Sequence, residues 1–468
     1  MTTDILRAAA KRLDEWHHHF ERCFGQLRTA RRARTYVQGL LLHTESKNVE
    51  SMTLVFGTDQ ANQRRDDSEV LAMQRFLTHG KWKHEDVQRE LQAMFAKELA
   101  PSAGELGTVL VVDESSFVKR GEHSVGVARQ HCGRLGKVEN CQVGVFVIGS
   151  TPAGRALLEH QLYLPEEWAR DKARRKKISV PAEIKMHTKP EISTKLVQRI
   201  IDNGHVKPRW VTADELYGRN QAWRREIDRM GCYYVAEVPK NTTVWLSCEW
   251  MGDDPRPRRA SAKMQKQWLR TVTELAQSAD ASQWQTLLLR EGSNEPLAFE
   301  FAFFPVWDTR YDRQAGVPVW IIVRRSLEHK DYKYYMSNAP RETSTPTLAH
   351  VSGHRFRVEQ VFGDGKGDFG MADYEARGWH SWHHHMSLVA MAHMFTMLTN
   401  HDLRAEEPRL TLECTLRILQ DALPRPVLEP GDSLRIVEYH LRHAELAAKS
   451  KRNKWLRTHP KAKRKLKL

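Results

Sequence analysis

At 468 residues and 54.3 kDa the chain has room for two or three folded units. A composition of 40% hydrophobic and 28% charged residues excludes wholesale disorder and a membrane-embedded protein. Net charge is +15, yet the last 20 residues, Lys449–Leu468, hold ten Lys or Arg and no acid, which leaves +5 for the other 448. A polyanion is the natural partner of such a chain, and a solvated basic end is the plain alternative for the tail. No run approaches the roughly 20 apolar residues of a spanning helix, and Asp4, Arg7, Lys11 and Arg12 interrupt any signal peptide, so a cytoplasmic protein is expected. The six cysteines contain no C-x-x-C pair, which reads as buried reduced thiols and not as a zinc site or disulfide framework.

Residues 1–103 read as helical, from Ile5, Leu13, Trp16 and Phe20 and then Tyr36, Val37, Leu40 and Leu41. Arg28, Arg31, Arg32 and Arg34 open the second of these helices, as a DNA-facing surface or as a solvated face. From Thr108 the texture changes to strands, TVLVVD, HSVGVARQHC, NCQVGVFVIGS and ALLEHQLYL, in an antiparallel meander. A basic loop over Arg170–Lys177 follows. Thr188-Lys189-Pro190-Glu191 is a T-x-x-E capping box with proline in the first turn, and Ile192, Leu196, Val197, Ile200 and Ile201 mark its helix. RWVTAD (209–214) is a strand, Arg219–Met230 a helix stopped at Gly231, and CYYVAEV (232–238) a strand. Aromatic-rich strands (TTVWLS, AFEFAFF, PVWIIV, YKYYMS) then make residues 241–343 a β-rich insertion. Helical patterning returns over Thr345–Phe362 and Trp382–Leu398, the latter apolar on most sides, and again over 409–422 and 434–457. No internal repeat is present.

Asp113 ends the strand TVLVVD and Asp214 ends RWVTAD. Either alone is an ordinary turn former. The order of three strands, helix, strand, helix, strand is that of a ribonuclease H-like sheet, in which those two strand ends lie side by side. A third acid, Glu359, has Arg355 four residues before it and Lys366 seven after it, offsets that share one helical stripe. Periodicity alone is equally compatible with an exposed Arg/Glu pair, and Gly363, Gly365 and Gly367 leave Lys366 on a helix or a loop.

With these residues in hand the chain resembles the DDE transposases of bacterial insertion sequences, in the branch with a β-rich insertion and a tyrosine, arginine, glutamate, lysine signature. The matching blocks are residues 111–146, RWVTADELYG (209–218), YYMSNAP (334–340) and HRFRVEQVFGDGKGDFGMADYEARGWHSWHHH (354–385). The resemblance implies that Asp113, Asp214 and Glu359 are the catalytic acids and hold two Mg²⁺ ions, with Mn²⁺ as a substitute. It places Arg355 and Lys366 at the signature's arginine and lysine, as contacts to the substrate phosphate. The tyrosine position falls on Ser352. Three acids suit hard cations and leave coordination positions for water and phosphate.

The expectation is therefore an α/β chain with a ribonuclease H-like mixed sheet flanked by helices. Its parts are a helical N-terminal region (1–103), a catalytic core (104–240), the β-rich insertion (241–343), the last core helices (344–400), and C-terminal helices with a basic tail (401–468). Expected partners are double-stranded DNA, as terminal inverted repeats and target, and further copies of the chain as a homodimer or larger assembly; no membrane partner is expected, and the location is nucleoid-associated. Lys119, Arg120, Arg31, Arg32, Lys461, Lys463, Arg464 and Lys465 are the candidate DNA contacts. The alternatives are a stand-alone metal-dependent DNA nuclease and a transposase-derived DNA-binding protein without catalysis. Strand alternation turns Glu114 and Glu215 away from the acids. Adjacent histidines, His17–His19 and His383–His385, point in different directions and suit helix-surface or interfacial roles. Core packing is the plain role for Trp245, Trp307 and Trp320, with base stacking as the alternative.

Overall fold

The computed structural model describes residues 8–44, 46–56, 67–247, 262–290, 297–309, 315–424 and 430–459. Five helices lead, Ala9–His18, Leu27–Leu41, Val49–Phe56, Asp67–His79 and His84–Met94. Three- and four-residue spacing turns Leu13, Trp16 and Phe20, then Tyr36, Val37, Leu40 and Leu41, into one core. Each such side chain removed from water contributes about 1.5–3 kcal/mol.

The strands that follow are β1 (Thr108–Val118), β2 (Ala128–Cys132), β3 (Lys137–Ser150), β4 (Arg155–Leu162), β5 (Pro208–Ala213) and β6 (Tyr233–Glu237). β1 is antiparallel to β3 and parallel to β5, β4 is antiparallel to β3, and β5 is parallel to β6. The order across the sheet is thus β4-β3-β1-β5-β6, the ribonuclease H-like arrangement. Val109–Val112 form a contiguous apolar run because β1 is central and buried on both faces. The stretch HSVGVARQHC contributes only β2, which shares the far edge of β3 with β4: β2 pairs with Lys137–Cys141 and β4 with Gly144–Ser150.

Helix Lys189–Asp202 links β4 to β5. Its capping box forms, with Glu191 N–H on Thr188 Oγ1 at 3.4 Å and Thr188 N–H on Glu191 Oε2 at 2.7 Å. Helix Gln221–Arg229 links β5 to β6 and starts two residues later than its periodicity implies, because Asn220 caps it. The basic segment before them is not a plain loop: Lys172–Lys177 is a short helix capped by Asp171.

The insertion strands are β7 (Thr243–Trp245), β8 (Leu269–Thr271), β9 (Gln285–Arg290), β10 (Leu297–Thr309), β11 (Ala315–Arg325) and β12 (Tyr332–Ser337). β12 lies antiparallel on β6, β11 on β12 and β10 on β11, so these strands prolong the same sheet. Trp245 and Trp320 are buried, and Trp307 sits opposite Trp245 in the β10–β7 pairing.

The helical stretch after the insertion divides into Thr345–Gly353 and Phe356–Gly367. Helix Trp379–Leu403 lies against β4 and is buried along nearly its whole length, as its all-round apolar sequence requires. Its His383–His385 run is core, not surface: each ring finds a local partner, His383 with Trp379 O (2.9 Å), His384 with Leu77 O (2.8 Å) and His385 with the Tyr36 hydroxyl (2.9 Å). A neutral imidazole offers one donor and one acceptor, which is what such burial tolerates, and burial pushes His384 down to about 4 and His385 to about 3. His17 is likewise buried, while His18 and His19 face solvent. Cys23, Cys132, Cys141 and Cys232 are buried free thiols, Cys414 is exposed, and Cys248 lies outside the described residues. Helices Leu412–Ala422 and Pro430–Thr458 close the chain. Among the described residues no helix is long and apolar enough to cross a membrane.

Candidate active site

The last shared rung of the parallel β1–β5 pair joins Val112 to Ala213. Asp113 and Asp214 are the next residues on each strand, so register alone brings two carboxylates to one end of the sheet. Asp113 stays in β1, opposite Phe146 of β3, with Oδ1 accepting the Glu114 N–H at 2.7 Å. Asp214 leaves the sheet as the cap of the turn Glu215–Gly218, with Oδ1 accepting the Leu216 N–H at 2.9 Å. That turn lies so close to β6 that a Cβ on Gly218 would sit 2.0 Å from the Glu237 carbonyl oxygen, which leaves room only for glycine.

Glu114 does not turn away from this pair. Single carboxylate oxygens of Asp113, Glu114 and Asp214 all lie within 4.8 Å of one another. Alternation separates neighbours where a strand is flanked on both sides, but β5 ends at Ala213, and beyond that rung both Asp113 and Glu114 border the same opening. Lys189, at the start of the capped helix, donates to Glu114 Oε1 at 2.9 Å, and the buried Tyr217 hydroxyl donates to Oε2 at 2.8 Å. Neither residue is marked by its spacing in the sequence. Glu215 is exposed and outside the group.

Crowded acids in a half-buried site hold their protons. Burial, and then the Asp214 charge, push Asp113 up to about 8, against the pull of Arg355. Burial, and then Glu114, push Asp214 up to about 6. Glu359 is brought near by Arg355: guanidinium Nη1 donates to Glu359 Oε1 at 3.3 Å, and Nη2 stands 4.0 Å from Asp113 Oδ2. Glu359 itself is 54% exposed and lies outside the three-acid group among the described residues. Arg355 Nε is buried without a hydrogen-bond partner.

Lys366 is helical, because Phe356–Gly367 continues through its three glycines. Gly365 packs there against Met371, whose thioether would have to shift to admit a Cβ, 2.9 Å from Sδ. The Lys366 ammonium donates to Ser116 O at 3.1 Å, 5.3 Å from the Phe117 ring centre, and so ties this helix to β1 three residues beyond Asp113. Lys366→Met is expected to cost about 1–3 kcal/mol by stranding that carbonyl, read as a lower Tm. An unchanged Tm would remove the tie. Ser352, at the signature's tyrosine position, is buried and spends its hydroxyl on Ala349 O at 2.7 Å within its own helix.

The candidate DNA contacts divide. Lys119 is engaged, donating to Tyr374 O at 2.9 Å above that residue's ring, and burial pushes it down to about 8. Arg120 and Arg31 are exposed and Arg32 is half-buried, whereas Lys461, Lys463, Arg464 and Lys465 lie outside the described residues.

Residues 19–296, more than half of the chain and both paired aspartates, match the family described as DDE superfamily endonuclease. The chain belongs to that family. Arg355, Glu359 and Lys366 lie beyond the matched residues. The chain is 25% identical over 235 residues to the probable transposase for insertion sequence element IS701 of Microchaete diplosiphon, a match covering 50% of this chain and 55% of the relative. It thus spans about half the length of the curated relative it matches. Among solved structures it is similar to the cryo-EM structure of the piggyBac transposase synaptic complex with hairpin DNA, at a TM-score of 0.34 and 10% identity, over 71% of this chain and 57% of that one.

Proposed function

We propose that this chain is a DNA transposase that cleaves at transposon ends and joins the freed 3′-hydroxyls to target DNA. The observation that carries the reading is the β1–β5 register, which sets Asp113 beside Asp214 with Arg355 bridging towards Glu359. The donor set suits a hard divalent cation: close carboxylates whose burial, and then mutual repulsion, raise their proton affinity, and neither sulfur nor imidazole among them. Two Mg²⁺ ions, or Mn²⁺ in their place, held by Asp113, Asp214 and Glu359 would activate the attacking oxygen and stabilise the leaving one.

The chain's own groups do the rest. Arg355 offers a planar fork to a phosphate, and its present contacts at 3.3 and 4.0 Å are loose enough to exchange. Lys366 spends one ammonium donor on Ser116 and keeps two for a neighbouring phosphate. Glu114, fixed by Lys189 and Tyr217, places a third carboxyl group beside the aspartates. Water attacks the phosphodiester at the transposon end, and the released 3′-hydroxyl attacks target DNA at the same site, so no covalent protein intermediate is needed. The reading includes assembly as a homodimer or larger complex on paired inverted repeats, a cytoplasmic, nucleoid-associated location, and the five-part division of the chain.

Incubating the protein with end-containing duplex, a target plasmid and Mg²⁺ tests this. Both cleaved ends and joined products are expected. Cleavage without joining would make the protein a nuclease, and binding without either would make it a DNA-binding protein.

The C-terminal basic residues give a separate prediction. Helix Pro430–Thr458 carries Lys449, Lys451, Arg452, Lys454 and Arg457 on exposed positions. If half of the ten basic residues of Lys449–Leu468 contact phosphates, ending the chain at Ala448 flattens log affinity against log salt by roughly four to five units. Specific and random duplexes should weaken alike, because phosphate contacts carry no base information. Superimposable slopes would assign the tail to solvent.

A further inference from the structure

Two helices of the N-terminal region bring basic side chains to one groove. Arg28 and Arg32 stand four residues apart on Leu27–Leu41, and Arg75 and His79 four apart on Asp67–His79. These pairs, with Thr29 and Phe76, line a groove of about 350 Å³ into which no carboxylate projects. Among the described residues Arg28, Arg32 and Arg75 form no salt bridge. Elsewhere on the surface the same side chain is regularly paired, as in Arg34 with Asp14 and Arg417 with Glu413. Arg32 is half-buried, its Nε has no hydrogen-bond partner, and burial and the neighbouring Arg28 charge both oppose its proton, with Glu69 the nearby acid that favours it. Like charges at i, i+4 are destabilising, and desolvating one of them adds to the cost. A fold that keeps such a cluster gains from it when a partner brings the missing negative charge.

We infer that this groove is a clamp for the phosphodiester backbone of duplex DNA, a binding site separate from the Asp113–Asp214 centre. Guanidinium groups meet phosphate oxygens bidentately, and each basic pair spans about 6 Å of its helix, enough to address more than one phosphate. The groove holds Arg28, Arg75 and His79, which helical periodicity did not connect, and Arg31 is not among its lining residues. The inference rests on reading the chain as an enzyme that acts on DNA.

Anisotropy titrations of the full chain with a random duplex of about 25 base pairs, over a range of salt concentrations, decide it. Arg28→Gln with Arg75→Gln, both exposed and so harmless to folding, should weaken binding about tenfold near 0.1 M salt and lower the salt slope by one to two units. Arg417→Gln with Arg409→Gln, which removes the same two charges from exposed positions elsewhere, should leave the slope unchanged. An unaltered Tm for the double variant assigns the loss to contact and not to folding. Slopes that superimpose on wild type overturn the clamp and leave the proposed chemistry standing, whereas a wild-type chain that binds no duplex overturns both. A third arm titrates inorganic phosphate. If it raises the Tm of wild type but not of the variant while duplex slopes agree, the groove takes small anions and the duplex assignment is wrong.

Discussion

Asp113→Asn and Asp214→Asn are each expected to lower Mg²⁺-dependent strand cleavage by about 10²–10³-fold, the scale of losing one preorganised electrostatic group at a transition state. Each change replaces a charged oxygen with an amide that cannot take a cation's charge, at a point where three carboxylate oxygens lie within 4.8 Å. Duplex affinity should stay within about twofold, because most hydrogen bonds to duplex DNA go to phosphate and sugar and come from basic and polar groups. Glu359→Gln belongs in the same series for a different reason. Its carboxylate is exposed and reaches the aspartates only through Arg355, so the free protein should lose less metal affinity than either aspartate variant loses, while cleavage falls as far. Calorimetric Mn²⁺ titration beside a cleavage assay separates the three. Robust Mg²⁺-dependent cutting by any variant would remove that residue from the centre.

The aspartates were legible because a short apolar run ending in an acid is how a central strand meets the edge of a parallel pair, and both TVLVVD and RWVTAD have that form. The strand and helix order then placed their ends together. Glu114 was misread because period-two alternation was applied past the last β1–β5 rung, where the flanking strand is missing. Its partners were invisible for another reason: Lys189 and Tyr217 meet it across 75 and 103 positions of chain, distances no local pattern encodes. The glycines near Lys366 mislead in the opposite sense. Propensity argues against a helix there, at about 1 kcal/mol per glycine, yet the helix runs through all three and Lys366 ties it to β1. The histidine run read as helix surface or interface because adjacent side chains fan out around a helix, whereas a backbone carbonyl for His384 and a tyrosine hydroxyl for His385, both from other elements, partner it in the core.

In the metal-free protein the Asp113 carboxyl should contribute stability that is lost as pH rises from about 4 to about 8, the reverse of an ordinary salt-bridged acid, while buried imidazoles such as His384 and His385, held down to about 4 and about 3, act in the opposite sense below about 6.5. Asp113 is faced by Asp214, Glu114 and the Tyr217 ring as well as by Arg355, and its carboxyl sits at about 8 against 3.8 for the unperturbed group. This carboxyl therefore holds its proton in the folded state throughout that window, and its share of the unfolding free energy falls with pH, by about 1.4 kcal/mol per unit. Stability is complete below the unfolded value and is lost by the folded one. Asp214, at about 6, steepens the lower half of the same window. A divalent cation binds the deprotonated acids, so millimolar Mn²⁺ should raise Tm at pH 8 and do little at pH 5, with protons released on binding. Asp113→Asn, which takes the charge away without the volume, should stabilise the metal-free protein at pH 8, with a margin over wild type that grows from about pH 4 to about pH 8. The measurement is Tm against pH with a chelator present and again with Mn²⁺. An Asp113→Asn profile parallel to wild type would mean that the proton is not held at this carboxylate.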